Sequence, residues 1–323
     1  MGWWDLSADT LVGSRFLVSP LAETIATLKM LERGTAAHPA ERSWLDLHLP
    51  AYRKRLAGDP LTALTIRSAL GRTWNADYLT PPPTHGGEAT FAEEVRTVRE
   101  ASPGGAREDL TVSLGGPLPA ELHRDDLPER TAGLLEWVWT HAVLPDWTRR
   151  RRIIEADVVA RTAQLSRGGW AEALDGLRPG MRWLGGSRLQ VNTHDYPPRR
   201  ISGARLMFVP VTPRHGWVSW DETWRRFAIV YPCSGTLAEV GAPVPEALGR
   251  LLGTSRAGVL VLLETPKSTT QLVALTGQGL GSVGRHLRVL LDARLIERRR
   301  AGRSVLYYRT TAGEILVAAQ HDN

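Results

Sequence analysis

The chain has 323 residues, which is enough for two domains that each bury a core. Its mean hydropathy is −0.20 and no apolar run approaches about 20 residues, so no membrane span is predicted. The first ten residues lack a basic segment followed by an apolar one, so we expect no signal peptide and a cytoplasmic location. The single cysteine, Cys233, excludes an internal disulfide framework and a thiolate-rich zinc or iron–sulfur site.

The net charge of +6 is unevenly distributed. Residues 1–245 hold 29 basic and 28 acidic side chains, whereas residues 246–323 hold 11 and 6, so the two parts carry +1 and +5. A localised basic excess is typical of a surface that meets phosphates, although a solvated basic face would look the same. All 12 tryptophans precede residue 225. We predict an N-terminal domain, 1–245, and a C-terminal domain, 246–323, joined by a proline- and glycine-rich linker near 232–247.

Helical spacing dominates the first part of the chain. Leu21, Ile25 and Leu28 recur on one face of a helix predicted over 20–34, with Gly34 as its stop signal. Further helices are predicted over 91–101 and 133–166, the latter interrupted near Pro145. From residue 181 onward alternating or apolar runs separated by turn signals predict strands. The first part is therefore expected to be an α+β domain in which helices precede a small antiparallel sheet.

The first part shows no catalytic motif: there is no His-Glu-x-x-His, no Walker loop and no G-x-S-x-G elbow. We interpret His194 and Asp195 as a turn rather than a metal site. Arg149–Arg152 are read as a basic turn leading into a helix, rather than a contact with DNA or an anion. The tryptophans are expected chiefly in the core, with a hydrophobic ligand pocket as a second hypothesis; they include Trp137, Trp139, Trp217, Trp220 and Trp224.

The last 78 residues contain a capped helix, a turn and a second helix. Ser268 and Gln271 fit a capping box at the start of a helix over 267–275, and residues 276–279 break it. The second helix, predicted over 280–292, has an apolar face and a polar N-terminal half, which is typical of a helix-turn-helix whose second helix reads the major groove. The candidate DNA contacts are Ser268, Thr269 and Thr270 at the start of the first helix and Gln278, Ser282, Arg285, His286 and Arg288 on the second.

A basic hairpin follows the second helix. Residues 295–309 read as two strands around a turn at Ala301-Gly302, with Arg309 farther down the second strand. Such a hairpin is typical of a wing that reaches the DNA backbone or the minor groove, although arginine also suits an ordinary surface hairpin. The arginines clustered around the tip are Arg298, Arg299, Arg300 and Arg303.

The glycines at 279, 281 and 284 also form a G-x-G-x-x-G pattern, which indicates a dinucleotide site only where a strand precedes it. A segment with helical spacing precedes it here, so we disfavour that interpretation and predict no cofactor.

The stretch SVGRHLRVLLDARLIERRRAGRSVLYYR, residues 282–309, resembles the winged helix-turn-helix of the ArsR/SmtB family of bacterial transcriptional regulators, and the resemblance extends over 248–317. It implies recognition-helix positions at Ser282, Arg285 and His286. Two residues depart from the family pattern: Gly284 replaces a serine, and Arg294 replaces the glycine that ends the helix, where a left-handed conformation costs about 1 kcal/mol. Family members that sense metals use a cysteine pair before the turn; residues 271–275 hold neither cysteine nor histidine, so no metal site is expected.

The first part also resembles a family group, through SPLAE (19–23), YLTPPP (78–83) and IIEADVVARTAQLSRGG (153–169). These segments are similar to the long N-terminal domain, of unassigned function, of some actinobacterial ArsR-like regulators. Together the resemblances imply a non-enzymatic, homodimeric repressor that binds near-palindromic double-stranded DNA, with a small-molecule effector that could bind the N-terminal domain. Two alternatives stay open: a non-specific architectural DNA protein, and an enzyme whose tail docks on nucleic acid.

Overall fold

The computed structural model describes residues 2–36, 39–84, 89–174, 177–194, 196–233, 244–263, 267–301 and 304–319. The chain is mixed α/β with small sheets. The first half holds two short strands among its helices, in the order β1 (Trp3–Leu6), α1 (Ala8–Gly13), β2 (Arg15–Phe16), α2 (Pro20–Arg33), α3 (Pro39–Ala57), α4 (Pro60–Ala69), α5 (Phe91–Arg99), α6 (Pro103–Leu114), α7 (Leu127–Val138) and α8 (Trp147–Leu174).

The second half begins with strands and ends with a compact group of helices around a hairpin. In chain order the elements are β3 (Arg182–Gly185), β4 (Arg188–Gln190), β5 (Arg199–Ile201), β6 (Arg205–Val211), β7 (Trp217–Asp221), β8 (Arg226–Pro232), α9 (Glu246–Leu252), α10 (Thr254–Leu262), β9 (Lys267–Ser268), α11 (Thr269–Thr276), α12 (Leu280–Asp292), β10 (Ile296–Ala301), β11 (Ser304–Arg309) and α13 (Thr311–Ala318).

Helix α2 confirms the prediction for residues 20–34 at both ends. The Ser19 side chain accepts a hydrogen bond from the N–H of Ala22, and Pro20 occupies the first turn, where its missing N–H leaves no helical bond unmade. Gly34 ends the helix in the left-handed region, at φ 59°. The helix predicted over 133–166 is interrupted as expected: a π-helical turn at Trp139–Val143 and a 3₁₀ turn at Leu144–Asp146 separate α7 from α8.

The predicted strands form, but the expectation of one antiparallel sheet is wrong. They belong to two mixed sheets with the orders β3-β4-β1-β5 and β2-β6-β8-β7. Strand β8 pairs with β6 in parallel and with β7 antiparallel, while β1 pairs with β5 in parallel. Alternation of residues does not reveal pairing direction. The continuous burial along β6 is typical of strands covered on both faces, as in parallel pairings.

Three apolar cores fill the described chain. The largest lies among α2–α7 and the inner residues of β6 and β8, and a second joins β1 to the end of α8 and to both sheets. The third is formed mainly by residues after 247, but it includes Ile153 of α8 and Cys233. Trp217 is buried in the first core as predicted, whereas Trp224 is 71% exposed in the turn between β7 and β8. The domain boundary near 245 stays a prediction, because most of the linker lies outside the described residues.

A buried ion pair joins α8 to α2, and it corrects the interpretation of residues 149–152 as a basic turn leading into a helix: they lie inside α8, and Arg150 is buried. Arg150 and Glu23 are both fully buried, and Arg150 Nη1 donates to Glu23 Oε1 at 2.6 Å. The same carboxylate accepts the N–H of Thr212, which follows β6, at 2.7 Å. Arg150 Nη2 donates to the carbonyl of Ala142 at 3.1 Å. No local pattern indicates this burial, since a run of four arginines is usually solvated.

We predict that Arg150→Met lowers the free energy of unfolding by about 3–5 kcal/mol, because it leaves the Glu23 carboxylate buried without its countercharge. Denaturant titration followed by circular dichroism measures the change. Arg151→Met is the matched control: Arg151 pairs with Glu155 on the exposed side of the same helix turn, and its loss should change the free energy by no more than about 0.5 kcal/mol. Equal losses of unfolding free energy in the two variants would contradict a special role for the buried Arg150–Glu23 ion pair.

Candidate nucleic-acid interface

Helix α12 has the two faces that its spacing predicts. Val283, Leu287 and Leu290 are each at most 1% exposed and pack in the third core with α10 and α11. On the opposite side Arg285 and Arg288 are exposed, and within the described part of the chain neither pairs with another side chain. The apolar face therefore fixes the helix while the arginine face stays open to solvent.

The preceding helix and turn place the start of α12. Ser268 Oγ accepts the N–H of Gln271 at 3.2 Å, while Gln271 Oε1 accepts the N–H of Ser268 at 2.8 Å, which confirms the predicted capping box. Gly277 ends α11 at φ 68°, a conformation that costs other residues more. Ser268 Oγ thus serves the helix cap, Thr269 begins α11, and the Thr270 side chain lies outside the described residues.

Three of the candidate side chains form a chain of contacts at the start of α12. Ser282 Oγ lies 3.2 Å from Gln278 Oε1, to which it donates, and 3.3 Å from His286 Nε2. Burial lowers the pKa of His286, and the nearby Arg256 and Arg285 lower it further, so the imidazole is neutral at pH 7. A neutral histidine can hold Ser282 in place without adding charge to this face.

Arg256 is a candidate that the sequence analysis missed. It lies in the first turn of α10, thirty residues before His286, yet it is close enough to His286 to lower the pKa of that side chain. Only the packing of α10 against α12 brings the two together, and no local pattern could have revealed this.

The predicted hairpin forms from β10 and β11, and β9 extends it to three strands. Arg298 and Arg299 are exposed, and because neighbouring strand residues point to opposite faces, they present charge on both sides of β10. The Arg300 side chain and the whole of Arg303 lie outside the described residues, so the expected cluster at the tip stays a prediction.

Arg309 has a structural role rather than a place on the basic surface. Its side chain is 5% exposed, and it donates to the carbonyls of Leu260, at 2.8 Å, and Val261 at the end of α10. It also pairs with Glu314 at 3.1 Å. A cation at a helix C-terminus satisfies free carbonyls and favours the helix dipole. Arg309 therefore fastens the base of the hairpin to α10.

The segment 279–284 opens α12, and the element before it is the helix α11 rather than a strand. The dinucleotide interpretation of its glycines has no structural support. No group of three or more histidine, cysteine, aspartate or glutamate side chains within the described ranges could hold a metal ion. None of the helices described is both long and apolar enough to cross a membrane.

Arg294 adopts the left-handed conformation that its position in the sequence predicts, at φ 55°. We expect Arg294→Gly to raise the free energy of unfolding by about 0.5–1 kcal/mol, since glycine removes the steric strain but has more freedom in the unfolded chain. Arg294→Ala removes the charge and keeps the Cβ atom, so it should bring no gain. Thermal unfolding of both variants tests this, and an equal gain from alanine would attribute the effect to charge.

Comparison with known proteins adds no further assignment: no protein-family model, no curated protein and no solved structure matches this chain.

Proposed function

We propose that this protein is a sequence-specific DNA-binding transcriptional regulator, a dimeric repressor of the ArsR-like type that lacks cysteine metal sensing. The observation that carries the proposal is the exposed, unpaired Arg285 on α12, a helix whose other face is buried and whose start is fixed by a capped helix and a glycine turn. A rigid helix with an open arginine face directly before a basic hairpin has the order of elements of a winged helix-turn-helix.

In this proposal α12 lies in the major groove. Arg285 would donate two hydrogen bonds to O6 and N7 of one guanine, which is a base-specific contact. Ser282, held by its contacts with Gln278 and His286, would reach a neighbouring base or phosphate. No side chain caps the start of α12, so N–H groups of its first turn remain available for a phosphate oxygen.

The hairpin would supply contacts that hold the protein without reading sequence. Arg298 and Arg299 stand on opposite faces of β10, so one can meet the phosphate backbone beside the major groove while the other reaches toward the minor groove. Arg288 and Arg256 extend the same basic surface from α12 and α10. A single unit of this size contacts too few bases for selectivity, so we propose a homodimer that binds two half-sites of a near-palindrome.

Selection of genomic fragments by the purified full chain, in excess competitor DNA, tests the proposal. We expect sequencing of the bound fragments to recover an inverted repeat whose half-sites are about one helical turn, 10–10.5 base pairs, apart, as two recognition helices of a dimer require. Recovery of fragments with no shared sequence would refute specific binding and favour an architectural DNA protein. Failure to retain any fragment would refute DNA binding altogether.

Substitutions of Arg285 and Arg299 should have different consequences. Arg285→Ala should reduce discrimination between the selected site and random DNA by about 1–3 kcal/mol, because it removes a base contact. Arg299→Ala should weaken binding to the selected site and to random DNA to the same degree. It should also lower the slope of log affinity against log salt by about one unit. Fluorescence anisotropy at several salt concentrations measures both. Arg200→Ala, at a side chain 85% exposed on β5, is the control. Equal effects of Arg285→Ala on both DNAs would refute its role.

A further inference from the structure

A cleft of about 720 Å³ opens among α2, the loop after α4, the segment after α8, and β7. Its volume is within the range of small-molecule sites, about 300–1,000 Å³. The cleft lies entirely in the first part of the chain, and none of its residues belongs to the candidate DNA surface.

The lining of the cleft is strongly basic. It includes five basic side chains and only two acidic ones, Glu32 and Asp77. Glu32 already accepts the hydroxyl hydrogen bond of Tyr52. Burial, and then the neighbouring Asp109, raise the pKa of Asp77 to about 7, so near neutral pH much of Asp77 is uncharged. The cations that line the cleft are therefore only weakly compensated.

Two of these cations lie deep in the cleft without a carboxylate partner. Lys29 is 8% exposed, and among the described residues its one hydrogen-bond acceptor is the amide oxygen of Asn75, at 3.2 Å. Burial, then Arg33 and Arg178, lower its pKa to about 7, so near neutral pH about half of Lys29 is uncharged, and a bound anion would favour its charged form. Burial lowers the pKa of Arg178 to about 10, and its buried Nη1 has no hydrogen-bond partner among the described residues. Buried charges are normally paired, so this arrangement calls for an anion.

The second buried donor without an acceptor is aromatic. Trp217 Nε1 is buried and has no acceptor in the described part of the chain, while the ring of the same residue lies 5.2 Å from Lys29 Nζ. Arg178 and Trp217 are both donors, and both line the cleft. A buried donor left without an acceptor is unfavourable, so these groups favour a ligand with acceptor oxygens.

Part of the lining of the cleft consists of aromatic rings. Trp74 packs edge-on against Tyr196 and against Trp220, each with ring centres 5.1 Å apart and planes at 76°. The Arg199 guanidinium lies 4.1 Å from the centre of the Trp220 ring and covers one of its faces, so another planar ring can pack only on the faces and edges that these contacts leave. The lining of the cleft therefore offers contacts for an aromatic group as well as for an anionic one.

We propose that this cleft binds a small aromatic carboxylic acid, its carboxylate held by Arg178 and Lys29 and its ring against Trp74 and Trp220. A planar guanidinium suits a carboxylate because it can donate two parallel hydrogen bonds. Binding itself is independent of the proposed function. That the acid acts as the effector of a DNA-binding regulator is a consequence that rests on the proposed function.

Calorimetric titration of the full chain without DNA tests the cleft. The probes are benzoate, 3-phenylpropanoate and indole-3-acetate, each beside its methyl ester, and inorganic phosphate. We expect at least one acid to bind at least tenfold more tightly than its ester, because the ester keeps the ring and loses the charge. If every acid binds no better than its ester, or if none binds, the proposal is refuted. If phosphate binds more tightly than all three acids, the part of the proposal that places an aromatic ring in the cleft is refuted.

Arg178→Met and Lys29→Met locate the binding. Each substitution should lower the affinity for the best-binding acid at least tenfold, while Arg200→Ala should leave that affinity unchanged. Removal of a buried, unpaired charge should not destabilise the protein, so Arg178→Met should unfold at the same or a higher denaturant concentration. Undiminished binding in both methionine variants would place the acid elsewhere. The best acid is then added to the protein on its selected DNA, so that failure to bind DNA and failure to bind the acid are seen separately.

Discussion

The burial of Arg150 against Glu23 is the constraint on which the arrangement of the first part depends. Removing both charges from water has a large desolvation cost, which is offset only when the geometry is good and the remaining polar atoms are satisfied. Here α2, the residue after β6 and the π-helical turn that follows α7 each contribute a partner, namely Glu23, Thr212 and Ala142. Any displacement of α8 relative to these elements would break several of these hydrogen bonds together, so the start of α8 is held in one position.

The same face of α8 continues to two further partners. Ile153, three residues after Arg150, packs in the C-terminal core beside Cys233 and Leu248. Asp157, a full two turns after Arg150, accepts the hydroxyl of the buried Tyr231 of β8 at 2.9 Å. Spacings of three and seven residues keep all three side chains on one stripe of the helix. The part of α8 before its kink therefore contacts the largest core, the sheet that contains β8 and the third core, which is the C-terminal one.

Signals that act over a few residues were predictable from sequence. The stop at Gly34, the capping box at Ser268 and the left-handed Arg294 each depend on local backbone geometry, and the structure confirms them. Whatever depends on distant partners was not predictable. The two-residue strand β2 has its partner about 190 positions later, and the burial of Arg150 depends on Glu23, 127 residues before it.

The two sites differ in the same way. The candidate DNA surface is continuous in sequence, apart from Arg256, so the spacing of residues 268–299 revealed most of it. The cleft collects side chains from Lys29 to Trp220, and no segment carries enough of them to form a motif. Its signal is physical: buried donors that lack an acceptor among the described residues, and cations that the lining compensates only weakly. Such a signal exists only once burial is known.

The cleft and the candidate DNA surface meet the same helix at its two ends. Arg178 lies four residues after the end of α8, beyond the kink at Gly169, where φ is 69°. Ile153, near the start of α8, packs in the core that supports α11 and α12. Lys29, Arg33 and Arg178 repel one another, whereas a carboxylate between them would attract all three and favour a closer approach of α2 and the end of α8. An acid that binds the closer arrangement better shifts the population toward it. Where that arrangement also sets the position of α12, the acid changes the affinity for DNA by some factor, and DNA changes the affinity for the acid by the same factor. Bending at Gly169 alone would leave Ile153 in place, so this coupling requires a shift of the start of α8 that carries the hydrogen-bond partners of Arg150 with it.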